Sequence, residues 1–206
     1  MYLGRREGHS VKKRANPLPN IITGARFALV APFLWILAES LGYGSGFVSV
    51  WVYILFVLIC LTDLLDGAAA RGLNAQSALG AAMDITADGL FIFSSYVLFN
   101  IYGVLPVWFT VFVAVDYLVF ICTSKILIYT KRESGRKSFV FDAAGRVSAV
   151  LFYLMPAAAC LAWGNPGFLS IFVLNALLYA SVVLACIAIS KRCLLCFTVY
   201  RSERQM

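Results

Sequence analysis

Apolar runs long enough to cross a bilayer constrain this chain more than any other feature. Six of them run roughly 21–38, 47–70, 81–101, 104–128, 147–163 and 168–190. A helix needs about 20 mostly apolar residues to traverse the hydrocarbon layer. Breakers separate the runs: GYGSG at 42–46, NPG at 165–167, and Pro106 near the start of the fourth. With 62% hydrophobic and 13% charged residues, and a mean hydropathy of +0.86, the chain has too little charge for a soluble domain. The expected architecture is all-α: a polytopic membrane protein of six transmembrane helices.

The first 20 residues, MYLGRREGHSVKKRANPLPN, contain no apolar core and do not resemble a cleavable signal peptide. They read as a basic cytoplasmic arm beside the membrane, stopped by Asn16-Pro17-Leu18-Pro19. Residues 21–190 then form the membrane domain and 191–206 a cytoplasmic tail. Basic residues give the orientation. They cluster in the arm (Arg5, Arg6, Lys12, Lys13, Arg14), at Arg71, from Lys131 to Arg146, and from Lys191 to Arg204. The three loops on the opposite side contain no Lys or Arg. Both termini are therefore expected in the cytoplasm, and in a bacterium the membrane would be the inner one. The net charge of +7 is mostly a topology signal, and no nucleic-acid partner is expected. Cys60, Cys122, Cys160 and Cys186 fall inside apolar runs as small core residues, and Cys193-Leu-Leu-Cys196 is a lone CxxC just past the last run.

Against this background stand four carboxylates, Asp63, Asp66, Asp84 and Asp88. Each Asp inside a membrane costs about 2.5–3.5 kcal/mol on insertion scales, so something must offset on the order of 10 kcal/mol. Their spacing indicates what. Asp63 and Asp66 are three apart and Asp84 and Asp88 four apart, so each pair shares one helix face. At about 1.5 Å per residue, Asp66 lies about 7 Å before Arg71 and Asp84 about 6 Å after Gly80. Antiparallel packing of the second and third helices brings all four to one depth near the cytoplasmic surface. Converging carboxylates repel unless cations lie among them, and oxygen-only donors select hard ions, Mg²⁺ or Mn²⁺. Four Asp suit a pair of ions, an arrangement that handles phosphates. Arg71 adds a cation suited to a phosphate, and the small residues Gly67, Ala70, Gly80 and Ala81 allow close approach. Two other readings compete: structural pairing of the aspartates with Arg71, Arg26 and Lys125, and an ion pathway through the bundle. A pathway would spread its acids along the membrane depth, and these are clustered.

The run Asp63-x-x-Asp66-Gly67-x-x-Ala70-Arg71, then Gly80, Asp84 and Asp88, resembles the full signature of the CDP-alcohol phosphotransferases, DxxDGxxAR…GxxxDxxxD. All eight signature positions match. The stretch LPNIITGARF, 18–27, resembles the family's PNxxTxxR motif at the first helix. The resemblance implies that Asp63, Asp66, Asp84 and Asp88 surround two divalent ions and that Asp88 is the general base toward the acceptor hydroxyl. It implies that Gly67, Ala70, Arg71 and Gly80 border the CDP moiety. The donor would be CDP-diacylglycerol, the products CMP and a phospholipid, and the enzyme a homodimer among membrane lipids. His9 is the only histidine, so a histidine-based triad or zinc site is not expected, and no Walker-type glycine loop is present.

For the acceptor, the chain looks nearest to phosphatidylglycerophosphate and cardiolipin synthases. Gly145-Arg146 resembles the Gly-Lys that opens their fifth helix, although the Thr and Gln beyond it are not matched. Asp116 resembles the acid of an Arg-acid pair in their fourth helix, with Val115 in place of the Arg; a buried polar group bonded to a neighbouring helix is an equal reading of it. Glycerol 3-phosphate leads as acceptor, its phosphate expected at Lys125 and Arg146. Phosphatidylglycerol and inositol or inositol phosphate are the alternatives. From another class, the alternative is a divalent-cation carrier.

Overall fold

Helix ends fall where the sequence places its breakers. The computed structural model describes the backbone of residues 18–72, 78–134 and 143–203, and the side chains of 24–65, 83, 85–124, 143–198 and 201. Six helices occupy these segments: α1 (Leu18–Gly42), α2 (Val50–Gly72), α3 (Ala78–Ile101), α4 (Val107–Ser134), α5 (Ala143–Gly164) and α6 (Phe168–Glu203). The fourth helix starts at Val107, not at 104. Gly103, at φ +70°, ends α3 in a Schellman turn. In it Val104 N–H donates to the Phe99 carbonyl at 2.8 Å and Gly103 N–H to Asn100 at 3.1 Å. At the other end of the chain α6 runs on past 190 to Glu203, since no Gly or Pro interrupts KRCLLCFTVYRSE.

α3 is the centre of the bundle. It packs on α1, α4 and α5, while α1 also packs on α2 and α6 on both α4 and α5. The core is a seam of residues stepping three and four apart, which places them on one face of each helix. On α1 the buried positions are Arg26, Val30, Phe33, Leu37, Ser40 and Leu41, and on α2 they are Val52, Phe56 and Ile59. Phe91 of α3 joins these layers: its ring lies 5.2 Å from those of Phe33 and Tyr153 and 6.1 Å from that of Phe56.

The outer surface is apolar too. Trp51, Ile54, Val57 and Leu61 on α2 and Val111, Val115 and Leu118 on α4 are exposed. Helices apolar on both faces belong in hydrocarbon. Among the described residues, four stretches are long and apolar enough to cross a membrane: Gly24–Gly42, Val107–Ser124, Ala143–Gly164 and Phe168–Thr198. Within the described residues, α2 and α3 contribute the shorter apolar stretches Val50–Leu65 and Ile85–Ile101. The remaining turns of these two helices carry Asp66, Arg71 and Asp84.

Several buried serine and threonine hydroxyls are satisfied within their own helices. Ser95 donates to the Phe91 carbonyl at 2.6 Å, Thr123 to Val119 at 2.7 Å and Ser181 to Leu178 at 2.7 Å. A different solution appears at Pro156, buried inside α5. Proline has no N–H to give to the carbonyl four residues earlier, that of Phe152. The Tyr96 hydroxyl of α3 donates to this carbonyl at 2.8 Å. The helix break is thereby turned into a tie between α3 and α5. Tyr96→Phe is expected to lower stability by on the order of 1 kcal/mol. In a Pro156→Ala background, where the helix supplies its own N–H, the same change is expected to have a smaller effect. Thermal unfolding of the four proteins in detergent checks the difference.

Candidate functional site

The seam that builds the core does not stop at its last apolar layer. One step beyond Val30 on α1 comes Arg26, one step beyond Ile59 on α2 comes Asp63, and one turn from Phe91 on α3 comes Asp88. The three helices therefore bring these side chains together without any loop. Arg26 is fully buried. Its Nη2 lies 2.8 Å from Asp63 Oδ1 and its Nη1 donates to Asp88 Oδ1 at 2.8 Å. The two carboxylates are 36% and 31% exposed, so the joint is closed on the arginine side and open on the acid side.

The structural pairing of Arg26 with aspartates is thus present. Asp66 and Asp84 lie on the same helices, one turn from Asp63 and Asp88. The side chains of Asp66, Gly67, Ala70, Arg71, Gly80, Asp84 and Lys125 fall outside the described residues. Among the described residues no three His, Cys, Asp or Glu gather into a metal cluster. The donor chemistry of the two described acids nevertheless fits a hard divalent cation: oxygen only and about one-third exposed.

Beside Asp88 a cavity of about 240 Å³ opens between α3, α4, α5 and α6. Its inner wall is apolar, formed by Ile92, Val113 and Phe152, and its polar groups are Asp88, Asp116, Tyr117, Ser148, Tyr153 and Arg192. The Tyr153 hydroxyl is buried and has no hydrogen-bond partner among the described residues. Arg192 of α6 stacks its guanidinium 4.5 Å from the centre of the Phe120 ring on α4. Asp116 lies in the wall, as its placement on the fourth helix allows. Gly145 lines the cavity but Arg146, exposed in the first turn of α5, does not.

Arg26 enters the sequence reading as a structural partner of the aspartates and within the first-helix motif, and it falls in step with the buried seam; two other participants escape that reading. Arg192 falls with the tail, since the apolar run ends before it. Tyr153 carries no signal except its spacing from Phe152 and Pro156. Arg26→Ala leaves two acids without their shared cation. It is expected to lower stability by about 2–3 kcal/mol, discounted for the solvent screening of half-open carboxylates. Arg26→Ala/Asp63→Asn is expected to recover part of that loss in the same unfolding measurement.

Comparison with known proteins agrees with this geometry. Residues 16–192 match the CDP-alcohol phosphatidyltransferase family. Over 97 residues the chain is 36% identical to a cardiolipin synthase (CMP-forming) of Streptomyces coelicolor, covering 47% of this chain and 45% of that protein. Over 105 residues it is 34% identical to a probable phosphatidylglycerophosphate synthase of Mycobacterium tuberculosis, covering 50% and 48%. Over 102 residues it is 32% identical to a CDP-diacylglycerol–glycerol-3-phosphate 3-phosphatidyltransferase of Bacillus subtilis, covering 46% and 53%. The matched stretch is thus about half the length of each relative.

Proposed function

Because this chain belongs to the CDP-alcohol phosphatidyltransferase family, we propose that it transfers the phosphatidyl group of CDP-diacylglycerol to a hydroxyl acceptor, releasing CMP, in phospholipid synthesis. The observation that carries this is the meeting of Asp63 and Asp88 on one buried arginine, beside a cavity that Asp88 also lines. Six helices cross the membrane, with both termini in the cytoplasm. The basic residues of the arm, of the α4–α5 segment and of the region after α6 support that orientation. The enzyme is a homodimer in the same reading, which rests on family resemblance.

Asp63, Asp66, Asp84 and Asp88 hold two divalent ions, Mg²⁺ or Mn²⁺. When bound, these ions neutralise the diphosphate and stabilise departing CMP. Gly67, Ala70, Arg71 and Gly80 border the CDP group. Arg26 keeps Asp63 and Asp88 at a fixed spacing. Asp88 stands between that cation and the cavity, placed to take the proton of the acceptor hydroxyl as it attacks the lipid-side phosphorus.

Glycerol 3-phosphate is the acceptor this reading favours. A volume of 240 Å³ is about eight water volumes, room for a polyol phosphate. Arg192 offers a cation for the phosphate, and the Tyr153 hydroxyl, without a partner among the described residues, offers a hydrogen bond to a polyol oxygen. Lys125 and Arg146 remain further candidate cations for that phosphate by their place in the sequence. A second reading, phosphatidylglycerol as acceptor, is favoured by the likeness to the Streptomyces cardiolipin synthase. It requires the acyl chains of the acceptor to leave the cavity between helices.

Purified protein given CDP-diacylglycerol, Mg²⁺ or Mn²⁺ and each acceptor in turn tests this, with the lipid product identified by mass. Glycerol 3-phosphate is expected to give the phosphorylated lipid, and chelation to abolish CMP release. A cation carrier would release no CMP and would move ions into liposomes instead. Asp88→Asn is expected to cut turnover by about 100-fold or more while leaving donor binding intact. Arg146→Ala and Arg192→Ala are expected to raise the KM of a phosphorylated acceptor more than that of the donor. Equal rises for both substrates would remove these cations from the acceptor.

A further inference from the structure

Beside Asp88, α3 and α4 are joined by a contact that depends on an absent side chain. Tyr117 of α4 lays its phenol over Gly89 of α3. A Cβ at position 89 would meet the Tyr117 hydroxyl oxygen at 2.8 Å and the ring Cζ at 3.2 Å, inside the normal contact distance. The notch lets the Tyr117 hydroxyl donate to the Ile85 carbonyl at 2.5 Å. That carbonyl is also the helical acceptor for Gly89 N–H, and it has a second lone pair for the phenol. Phe93 closes the far side, edge-on to the Tyr117 ring at 5.5 Å and 82°. Ile85, Gly89 and Phe93 recur every four residues and so form one face of α3, adjoining the face of Asp88. A glycine inside a helix costs about 1 kcal/mol relative to alanine, and this joint gives the position a reason.

Elsewhere α3 and α4 are tied near their turn. Asn100 donates to Thr110 at 2.9 Å, and the rings of Tyr96 and Phe109 lie 5.6 Å apart. Tyr117 is seven residues beyond Thr110, about 10 Å along the helix. It therefore sets the spacing of α3 and α4 at the depth of Asp88. Its neighbour Asp116 lines the cavity together with Asp88 and Tyr117 itself.

We infer that Tyr117 is a positioning residue for the acceptor: seated in the Gly89 notch, it fixes how far Asp116 stands from Asp88 and so the width of the acceptor cavity. This role rests on the transfer activity proposed above. It concerns the acceptor alone, because the Arg26 joint holds α1, α2 and α3 independently of α4.

Steady-state kinetics of the full chain with CDP-diacylglycerol and glycerol 3-phosphate tests it. Tyr117→Phe keeps the ring and loses the hydrogen bond. It is expected to raise the acceptor KM about 3–10-fold, with the donor KM changed by no more than about twofold. Gly89→Ala displaces the ring and is expected to raise the acceptor KM further. In a Tyr117→Ala background the clash is gone, so Gly89→Ala is expected to add no penalty. Donor and acceptor KM rising together would overturn the inference, as would a Gly89→Ala penalty of the same size with and without the tyrosine. If Gly89→Ala does not fold, Tyr117→Phe decides on the KM split alone. Wild-type protein that transfers to no acceptor overturns the activity, and this role with it. Wild-type transfer that the Tyr117 variants leave unchanged overturns this role alone.

Discussion

Arg26 is buried with its guanidinium against two carboxylates from two other helices, each at 2.8 Å. Taking such charges out of water costs several kcal/mol per ion, and the cost is met only where the geometry is good. A planar fork that addresses two acids at once meets that condition where a lysine would not. In a bilayer, apolar faces gain little by choosing one another over lipid, so helix partners are selected by close packing and polar contacts. Sliding α1 along α2 would part Arg26 from the carboxylates at 2.8 Å. The joint therefore sets the register of α1, α2 and α3, and the aromatic layers of Phe33, Phe56 and Phe91 stack in the register it sets.

The same joint explains why charged side chains gather at this level. Three helices end their apolar seam together, and each continues from there with a charged side chain. Phe91 lies one turn from Asp88 and touches Tyr153, so the floor of the site is the ceiling of the core. On the other side, the Tyr96 bond to the carbonyl that Pro156 exposes holds α5 against α3. Phe152, whose carbonyl takes that bond, also forms part of the cavity wall. Stability and cavity shape are thus set by the same few contacts, which leaves little freedom to alter one without the other near Asp88.

How much of this is legible in the sequence depends on distance along the chain. The aspartates can be read because their spacing is local: three and four residues apart within one helix, with small residues between the pairs. The partnership of Asp63 and Asp88 with Arg26 spans 37 and 62 positions, and no local pattern encodes it. The clue is register, since Arg26 falls in step with Val30, Phe33 and Leu37. Gly89 and Tyr117 are invisible for the same reason: a notch and its occupant on different helices leave no periodic trace. The end of α3 at Ile101 is legible in its apolar run, whereas the start of α4 is misplaced by three residues although Pro106 marks it. Lys191 and Arg192 do not stop α6, because charge ends an apolar run without ending a helix. For Asp66, Arg71, Asp84 and Lys125, spacing within their helices is what places them.

The two halves of the bundle divide the labour. The family's signature residues lie on α2 and α3, clamped by α1 through a charged joint that tolerates almost no change. The cavity adds α4, α5 and α6, where the contacts are of a softer kind: a phenol in a notch, a guanidinium on a ring, a hydroxyl without a partner among the described residues. These are also the helices where the chain departs from the pattern of phosphatidylglycerophosphate synthases, at Val115 and after Arg146. Substitutions on α4 to α6 can reshape the cavity while Arg26, Asp63 and Asp88 stay in place. The charged joint and the cavity wall meet at a single residue, Asp88.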